Sequence, residues 1–266
     1  MKHIKDKLAL VTGASSGIGQ AIAVALAAEG ARLILVGTNR ARLKETQSLC
    51  ESAGSSAHPY TADVGDYALM RGLSEAVIAE HGDVELLVNN AGVVMSGLIQ
   101  EVEVEDWKRL MDINVMGVVH GCKLFVPGML RQGGGHIVNM ASAAGLIGQP
   151  GMSTYCATKH AVVGMSASMR YELAGAGIGV TTICPGYVKT PITENLKLVG
   201  KLNTDRVRGK VEKSVKRSKL SAEMVARQTL KAIRRNEPFV TVGGDARAAW
   251  YAHRLAPRLL DKMFSR

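Results

Sequence analysis

Short apolar runs alternate with longer amphipathic stretches along most of this 266-residue chain. Residues 8–12, 32–36, 57–61, 85–88, 135–140, 179–183 and 239–242 have the length and composition of buried strands. Between them, residues 18–29, 40–53, 66–80, 104–130, 154–174, 193–216 and 222–235 carry apolar positions at helical spacing. Gly30 and Gly54 punctuate the first two helices, and Gly117 and Pro127 interrupt the long one. Strands that alternate with helices of this length predict repeated βαβ units and a mostly parallel sheet. Ligands in such sheets bind at the carboxyl ends of the strands. Gly13, Asp63, Asn89, Ser142 and Pro185 all fall at those ends, which predicts that they share one site.

Composition narrows this picture. Hydrophobic residues make up 47% of the chain and aromatics only 4%, so the core is expected to be aliphatic. No stretch holds the roughly 20 uninterrupted apolar residues of a membrane span, and the N-terminus runs directly into the first strand without a visible signal sequence. Cys50, Cys122, Cys156 and Cys184 have no paired spacing and read as reduced, intracellular, mostly buried thiols. The seven histidines show no ligand spacing, so no metal is expected. The net charge of +10 is local: residues 197–219 carry nine Lys or Arg against Asp205 and Glu212, and residues 244–266 carry five against Asp245 and Asp261.

The chemistry-bearing segments follow the strands. In Tyr155-Cys-Ala-Thr-Lys159 the Tyr and the Lys stand one helical turn apart and reach the same place. The ammonium is expected to favour the phenolate and lower the phenol's pKa, as needed to exchange a proton with a carbonyl or an alcohol near neutral pH. Thr12-Gly-Ala-Ser-Ser-Gly-Ile-Gly19 joins a strand to a helix. There Gly13 permits a tight turn, Gly17 the close approach of a pyrophosphate, and Gly19 close packing, while the helix N-terminus receives the anion. The second strand ends without the carboxylate that holds a ribose 2′-hydroxyl in NAD-selective sites. Arg40, with Thr38 and Asn39 beside it, suits a 2′-phosphate instead. NADP(H) is therefore favoured and NAD(H) is the alternative.

Over residues 7 to about 190, the order and spacing of these motifs resemble the short-chain dehydrogenases/reductases of the compact single-domain branch. The resemblance implies a Rossmann-like, doubly wound α/β fold: one domain over residues 1–266, with a seven-stranded parallel sheet and helices on both faces. It implies that Gly13, Ser15, Ser16, Gly17, Ile18 and Gly19 form the nucleotide loop, and that Asp63 holds the adenine beside Val64. Asn90, Ala91 and Gly92 would line the cofactor, and Pro185, Gly186, Val188 and Thr190 would hold the nicotinamide amide. Asn114, Ser142, Tyr155 and Lys159 match the catalytic set. In that set Tyr155 exchanges the proton. Lys159 lowers its pKa and bonds the nicotinamide ribose. Ser142 bonds the substrate oxygen, and Asn114 holds a water leading to solvent. One departure is Gly37-Thr38, where NADP-preferring members often carry Arg. The resemblance also implies a homo-dimer or homo-tetramer, with residues 104–130 and 154–174 packed across a two-fold axis.

Residues 187–219 occupy the family's substrate loop. Tyr187, Ile192, Leu196, Leu198, Val199 and Leu202 suit a pocket lining. Lys210, Lys213, Lys216, Arg217 and Lys219 suit an anionic partner or a solvated helix face. From Ala246 the chain forms an amphipathic C-terminal extension with Ala248, Ala252, Leu255, Leu259 and Met263 in a stripe, near Trp250, Tyr251, Leu260 and Phe264. Arg247, Arg254, Arg258, Lys262 and Arg266 flank the stripe, and Pro257 bends it. Such a segment covers its own domain, docks on a sister subunit, or lies on an anionic membrane. The leading expectation is a cytoplasmic carbonyl reductase or alcohol dehydrogenase, with peripheral contact to a membrane through the tail as a further option, acting on a small and apolar substrate of steroid, retinoid or fatty-ketone type. A 3-oxoacyl thioester reductase is the near rival, and a non-catalytic dinucleotide sensor or scaffold is the reading from another class. Nucleic acid is not expected as a partner, because the basic segment lacks a recognisable binding module.

Overall fold

The computed structural model describes residues 1–190, 196–258 and 262. The strands are β1 (Leu8–Thr12), β2 (Arg32–Gly37), β3 (Ala57–Thr61), β4 (Leu86–Asn89), β5 (Met95–Ser96), β6 (Gly135–Met140), β7 (Ile178–Pro185), β8 (Lys197–Leu198) and β9 (Phe239–Val242). The helices are α1 (Gly17–Ala28), α2 (Arg40–Ser52), α3 (Tyr67–His81), α4 (Val104–Met111), α5 (Gly117–Arg131), α6 (Ser153–Ala174), α7 (Asp205–Arg217), α8 (Ala222–Arg235) and α9 (Gly244–Leu255). Seven strands form one parallel sheet in the order β3-β2-β1-β4-β6-β7-β9, while β5 and β8 pair in a separate parallel ribbon. Strand order reverses between β1 and β4, so the crevice for a ligand opens between Thr12 and Asn89.

Side-chain alternation explains the layers. In β1, Ala9 and Val11 face a core built with Ile22 and Leu26 of α1 and Val225 and Ile233 of α8. Leu8 and Leu10 face the opposite core, built with Leu73 of α3, Phe125 of α5 and Val162 of α6. A strand covered on both faces must be apolar at every position, and all eight residues of β7 are buried.

A chain of buried amides locks α6 to this sheet. Asn89 Nδ2 donates to Asn139 Oδ1 at 2.9 Å, and Asn139 Nδ2 donates to Ser166 Oγ at 2.9 Å. The chain thereby ties β4, β6 and α6 together. Gly121 of α5 faces Asn89, where a Cβ would overlap Asn89 Oδ1.

Two regions depart from the sequence pattern. The helix expected over 193–216 begins only at Asp205. Lys197–Leu198 is a strand, Gly200–Leu202 a single tight turn, and Thr193 to Asn195 lie outside the described residues. Gly200 takes a φ of 56°, and Thr204 caps α7 by accepting the Val207 N–H at 3.3 Å, so the helix cannot extend further back. The stretch 104–130 is helical throughout but passes through a wider π-turn at Asp112–Met116. It is long and apolar enough to cross a membrane, and half of its most apolar window is buried inside the fold.

Candidate active site

The nucleotide loop is held from the far side of the crevice. Thr12 Oγ1 accepts the N–H groups of Asn90 and Ala91 at 2.9 and 3.0 Å, and Asn90 Nδ2 donates to the Thr12 carbonyl at 3.0 Å. Gly13 and Gly17 take φ values of 65° and 58°, which L side chains resist. A Cβ on Gly19 would overlap the Gly13 carbonyl, and one on Gly37 would overlap Ser15 Oγ. Ser15, Ser16, Gly17 and Ile18 are half-buried at the start of α1, whose first turn carries no acidic residue. An anion there meets free N–H groups and the positive end of the helix dipole. These residues fit the pyrophosphate of a dinucleotide.

At the end of β2, Thr38, Asn39 and Arg40 are exposed. Asn39 Oδ1 is engaged in capping α2 through the Arg42 N–H at 3.0 Å, so its amide NH₂ is the group left for a ligand. Asp63 accepts the Gly65 N–H at 2.9 Å, and the Val64 carbonyl accepts the His120 Nδ1–H at 2.8 Å. That bond fixes Val64 against α5, where a Cβ on Gly117 would crowd it. Val188 is buried and Thr190 half-buried beyond the Pro185–Gly186 turn.

Tyr155 and Lys159 stand on adjoining turns of α6, with Ser142 opposite at the end of β6. Ser142 Oγ caps the Ala143–Gly145 turn through the Ala144 N–H at 3.2 Å. Lys159 is only 4% exposed. Its Nζ donates to the Met140 carbonyl at 3.0 Å and lies 5.8 Å from the centre of the Tyr155 ring. A Cβ on Gly92 would come within 3.4 Å of the same Nζ. Asn114 projects from the π-turn and is fully buried. Its Oδ1 accepts the Val93 N–H at 2.8 Å, and its Nδ2 donates to the Val93 carbonyl at 2.9 Å and to Thr158 Oγ1 at 3.1 Å.

The electrostatics correct one expectation. Burial pushes the Tyr155 phenol up to about 12, with the Ser142 hydroxyl pulling the other way, rather than the phenol being acidified by its neighbour. Burial likewise lowers Lys159 to about 8. Both groups are desolvated, so each resists its charged form, and the Lys159 ammonium is engaged by a main-chain carbonyl. Thr12 heads the glycine loop in the sequence, but its hydroxyl bonds to Asn90 and Ala91 leave no mark in the residue types, and neither does the Met140 carbonyl that receives Lys159.

Residues 7–198 match the short chain dehydrogenase family. The chain belongs to this family. Among relatives of similar sequence, the probable oxidoreductase EphD of Mycobacterium tuberculosis is 35% identical over 269 residues. That match covers 97% of this chain and 44% of EphD, so the chain spans less than half the length of that relative. The 3-oxoacyl-[acyl-carrier-protein] reductase FabG of Thermotoga maritima is 36% identical over 194 residues, covering 73% of this chain and 79% of FabG. A short-chain dehydrogenase/reductase from Burkholderia phymatum, solved in complex with NAD, superposes with a TM-score of 0.85 at 32% identity, covering 100% of this chain and 97% of that one.

The buried ammonium makes a measurable claim on stability. Lys159 falls from 10.5 to about 8 in the fold, so between those values the unfolded chain holds more protons, and stability rises with pH across that window. Below pH 8 the penalty is present in full. Lys159→Met is expected to stabilise the dinucleotide-free protein at pH 7, by about 2 kcal/mol, and the gain should fade towards pH 10. Urea unfolding of both proteins at pH 7, 8.5 and 10 measures it, and a gain that does not shrink with pH refutes the assignment.

Proposed function

We propose that the chain transfers a hydride between NADP(H) and a carbonyl or secondary alcohol on an apolar molecule of steroid, retinoid or fatty-ketone type. The observation that carries this reading is the setting of Tyr155. Tyr155 packs against a small apolar cluster of Met95, Val102 and Leu110, together with Val93, Trp107 and Val199. Ser142 and Lys159 stand at its polar side.

When bound, the dinucleotide supplies or accepts the hydride. Tyr155, whose phenol holds its proton at neutral pH, protonates the substrate oxygen during reduction. Ser142 hydrogen-bonds that oxygen and stabilises the charge developing there. Lys159 turns its ammonium to the nicotinamide ribose. Asn114 spends its side chain on Val93 and Thr158, so its carbonyl in the loosened π-turn is assigned to the water that feeds Lys159. Gly13 to Gly19 cradle the pyrophosphate. Asp63 and Val64 hold the adenine, and Asn90 to Gly92 line the sugar side. Pro185, Gly186, Val188 and Thr190 hold the nicotinamide amide.

The cluster is closed by pinned segments. β8 pairs with β5, Lys197 bridges to Asp106 at 2.6 Å, and the Lys201 N–H donates to Glu101 at 3.0 Å. Ile192, placed in the pocket lining by the sequence, lies outside the described residues. Similarity to FabG and the basic α7 support the second reading, a 3-oxoacyl thioester substrate. A ketone panel run beside acyl thioesters separates the two readings.

The partner and compartment assignments rest on surface features. The groove of Val119, Val126, Met165 and Met169 between α5 and α6 supports a two-fold homo-oligomer. The four free, buried cysteines support a reducing cytoplasmic setting. On α9, Ala246 is buried and Trp250 stacks on Phe239 at 5.0 Å, so its inner face covers its own fold. Its outer face leaves Tyr251 and Leu255 56% and 80% exposed among Arg247, Arg254 and Arg258, which supports contact with an anionic bilayer. The stripe residues Leu259 and Met263, with Leu260, Phe264 and Arg266, lie outside the described residues.

Three measurements test these assignments. Tyr155→Phe is expected to lower kcat by roughly 10²–10⁴-fold at near-constant dinucleotide affinity; normal turnover would remove it as the proton donor. Arg40→Asp should weaken NADPH binding by about tenfold or more while leaving NADH within about threefold; equal losses would place the 2′-phosphate elsewhere. In flotation assays the protein should rise with phosphatidylglycerol-containing vesicles and not with pure phosphatidylcholine. The double change Tyr251→Ser and Leu255→Ser should abolish that binding, and undiminished flotation rejects the bilayer contact.

A further inference from the structure

We propose that Asp245 is a positioning residue for the cofactor, acting through the turn Pro185–Gly186–Tyr187 from outside the crevice. The inference rests on the assignment of Val188 and Thr190 to the nicotinamide end of the dinucleotide.

Asp245 stands in the first turn of α9. A carboxylate there ordinarily satisfies the free N–H groups of its own helix. This one reaches back across 58 positions, where Oδ2 accepts the Tyr187 N–H at 2.9 Å. Its carboxylate also occupies the space that a Cβ on Gly186 would need, with both oxygens and the Cγ inside contact distance. Gly243, at a φ of 106°, turns the chain into α9, and a Cβ there would lie 2.6 Å from Asp245 Oδ1. Glycines on both sides of the carboxylate therefore make room for it.

The rest of the turn is held just as closely. The Gly186 N–H donates to the Val242 carbonyl at 2.9 Å, at the end of β9. Ser218 Oγ donates to the Tyr187 carbonyl, and the Lys189 N–H donates to the Leu220 carbonyl at 3.0 Å. Val188 is thus suspended between residues whose main-chain groups are fixed by β9, α9 and the α7–α8 connection. Among these anchors Asp245 is the charged one, and a bond to an ionised acceptor is stronger than a neutral one. The same helix also packs against the Ala143–Gly145 turn that follows Ser142. α9 therefore touches the supports of both the cofactor end and the substrate end of the crevice. Loss of the Asp245 bond frees the turn that carries Val188 and Thr190 without removing any group that touches the dinucleotide.

Equilibrium binding of NADPH and NADH, with steady-state kinetics, to the wild type, Asp245→Ala, Asp245→Asn, Gly186→Ala and the Asp245→Ala/Gly186→Ala double variant tests this. Asp245→Ala should raise the dissociation constant of the preferred dinucleotide about tenfold, with kcat at saturating dinucleotide changed far less than kcat/KM. Asp245→Asn keeps an oxygen acceptor for the Tyr187 N–H and should return affinity to within about threefold of wild type. Gly186→Ala should weaken binding in the wild-type background and add nothing once the carboxylate is gone. Melting temperatures without dinucleotide separate positioning from simple stability, since Asp245→Asn should stay within about 2 °C of wild type. Wild-type affinity in Asp245→Ala, or full additivity with Gly186→Ala, overturns the proposal and leaves the cofactor assignment standing. A wild-type protein that binds neither dinucleotide overturns both.

Discussion

A chain of amide hydrogen bonds in the interior is the constraint on which the site depends. Asn89, Asn139 and Ser166 lie where water cannot reach, so each must find a partner inside the protein. Their bonds join the strand leading into Asn90–Gly92, the strand leading into Ser142, and the helix that carries Tyr155 and Lys159. A parallel sheet with interchangeable aliphatic cores on both faces sets no unique rotation for α6. The polar chain favours the observed one, in which Asn139 donates to Ser166 of α6. Thr12 does the same at the crevice, binding the N–H groups of Asn90 and Ala91 and holding the nucleotide loop against the next strand.

Desolvation then decides the electrostatics. The Tyr and the Lys are neighbours on α6, yet their charges do not simply assist one another. Burial raises the phenol and lowers the amine, and the ammonium is tied to the Met140 carbonyl. The protein keeps a protonated phenol and a buried ammonium at one spot, and holding two desolvated ionisable groups together costs stability.

Charge is distributed with equal asymmetry. From residue 197 onwards the chain carries 18 Lys or Arg against six Asp or Glu, so the rest of the molecule is slightly acidic. Among the described residues, few of these cations form ion pairs; Lys197 with Asp106 and Arg234 with Glu29 do. The basic elements α7 and α9 also border the segments that hold the Pro185–Gly186 turn, through Ser218 and Asp245. A surface that attracts anions and a turn assigned to the cofactor are therefore built from the same pieces of chain.

The amino-acid sequence by itself determined the seven main strands, because burial on both faces forces apolar runs that show in any reading of the chain. It also determined the glycine loop after β1, whose glycines are required by backbone geometry, and the Tyr155–Lys159 pair, whose helical spacing is local. Short pairings such as Met95–Ser96 with Lys197–Leu198 were not legible, since two residues carry no periodicity and their partner lies about a hundred positions away. The helix expected from residue 193 failed for a related reason: Gly200 and the Thr204 cap overrule the apolar spacing around them. Only the tertiary structure decided the raised phenol pKa, the carbonyl that receives Lys159, the side-chain bonding of Asn114 and the reach of Asp245 to Tyr187. Each of these depends on which groups meet across the fold and how far water is excluded from them, and neither is a property of residue order.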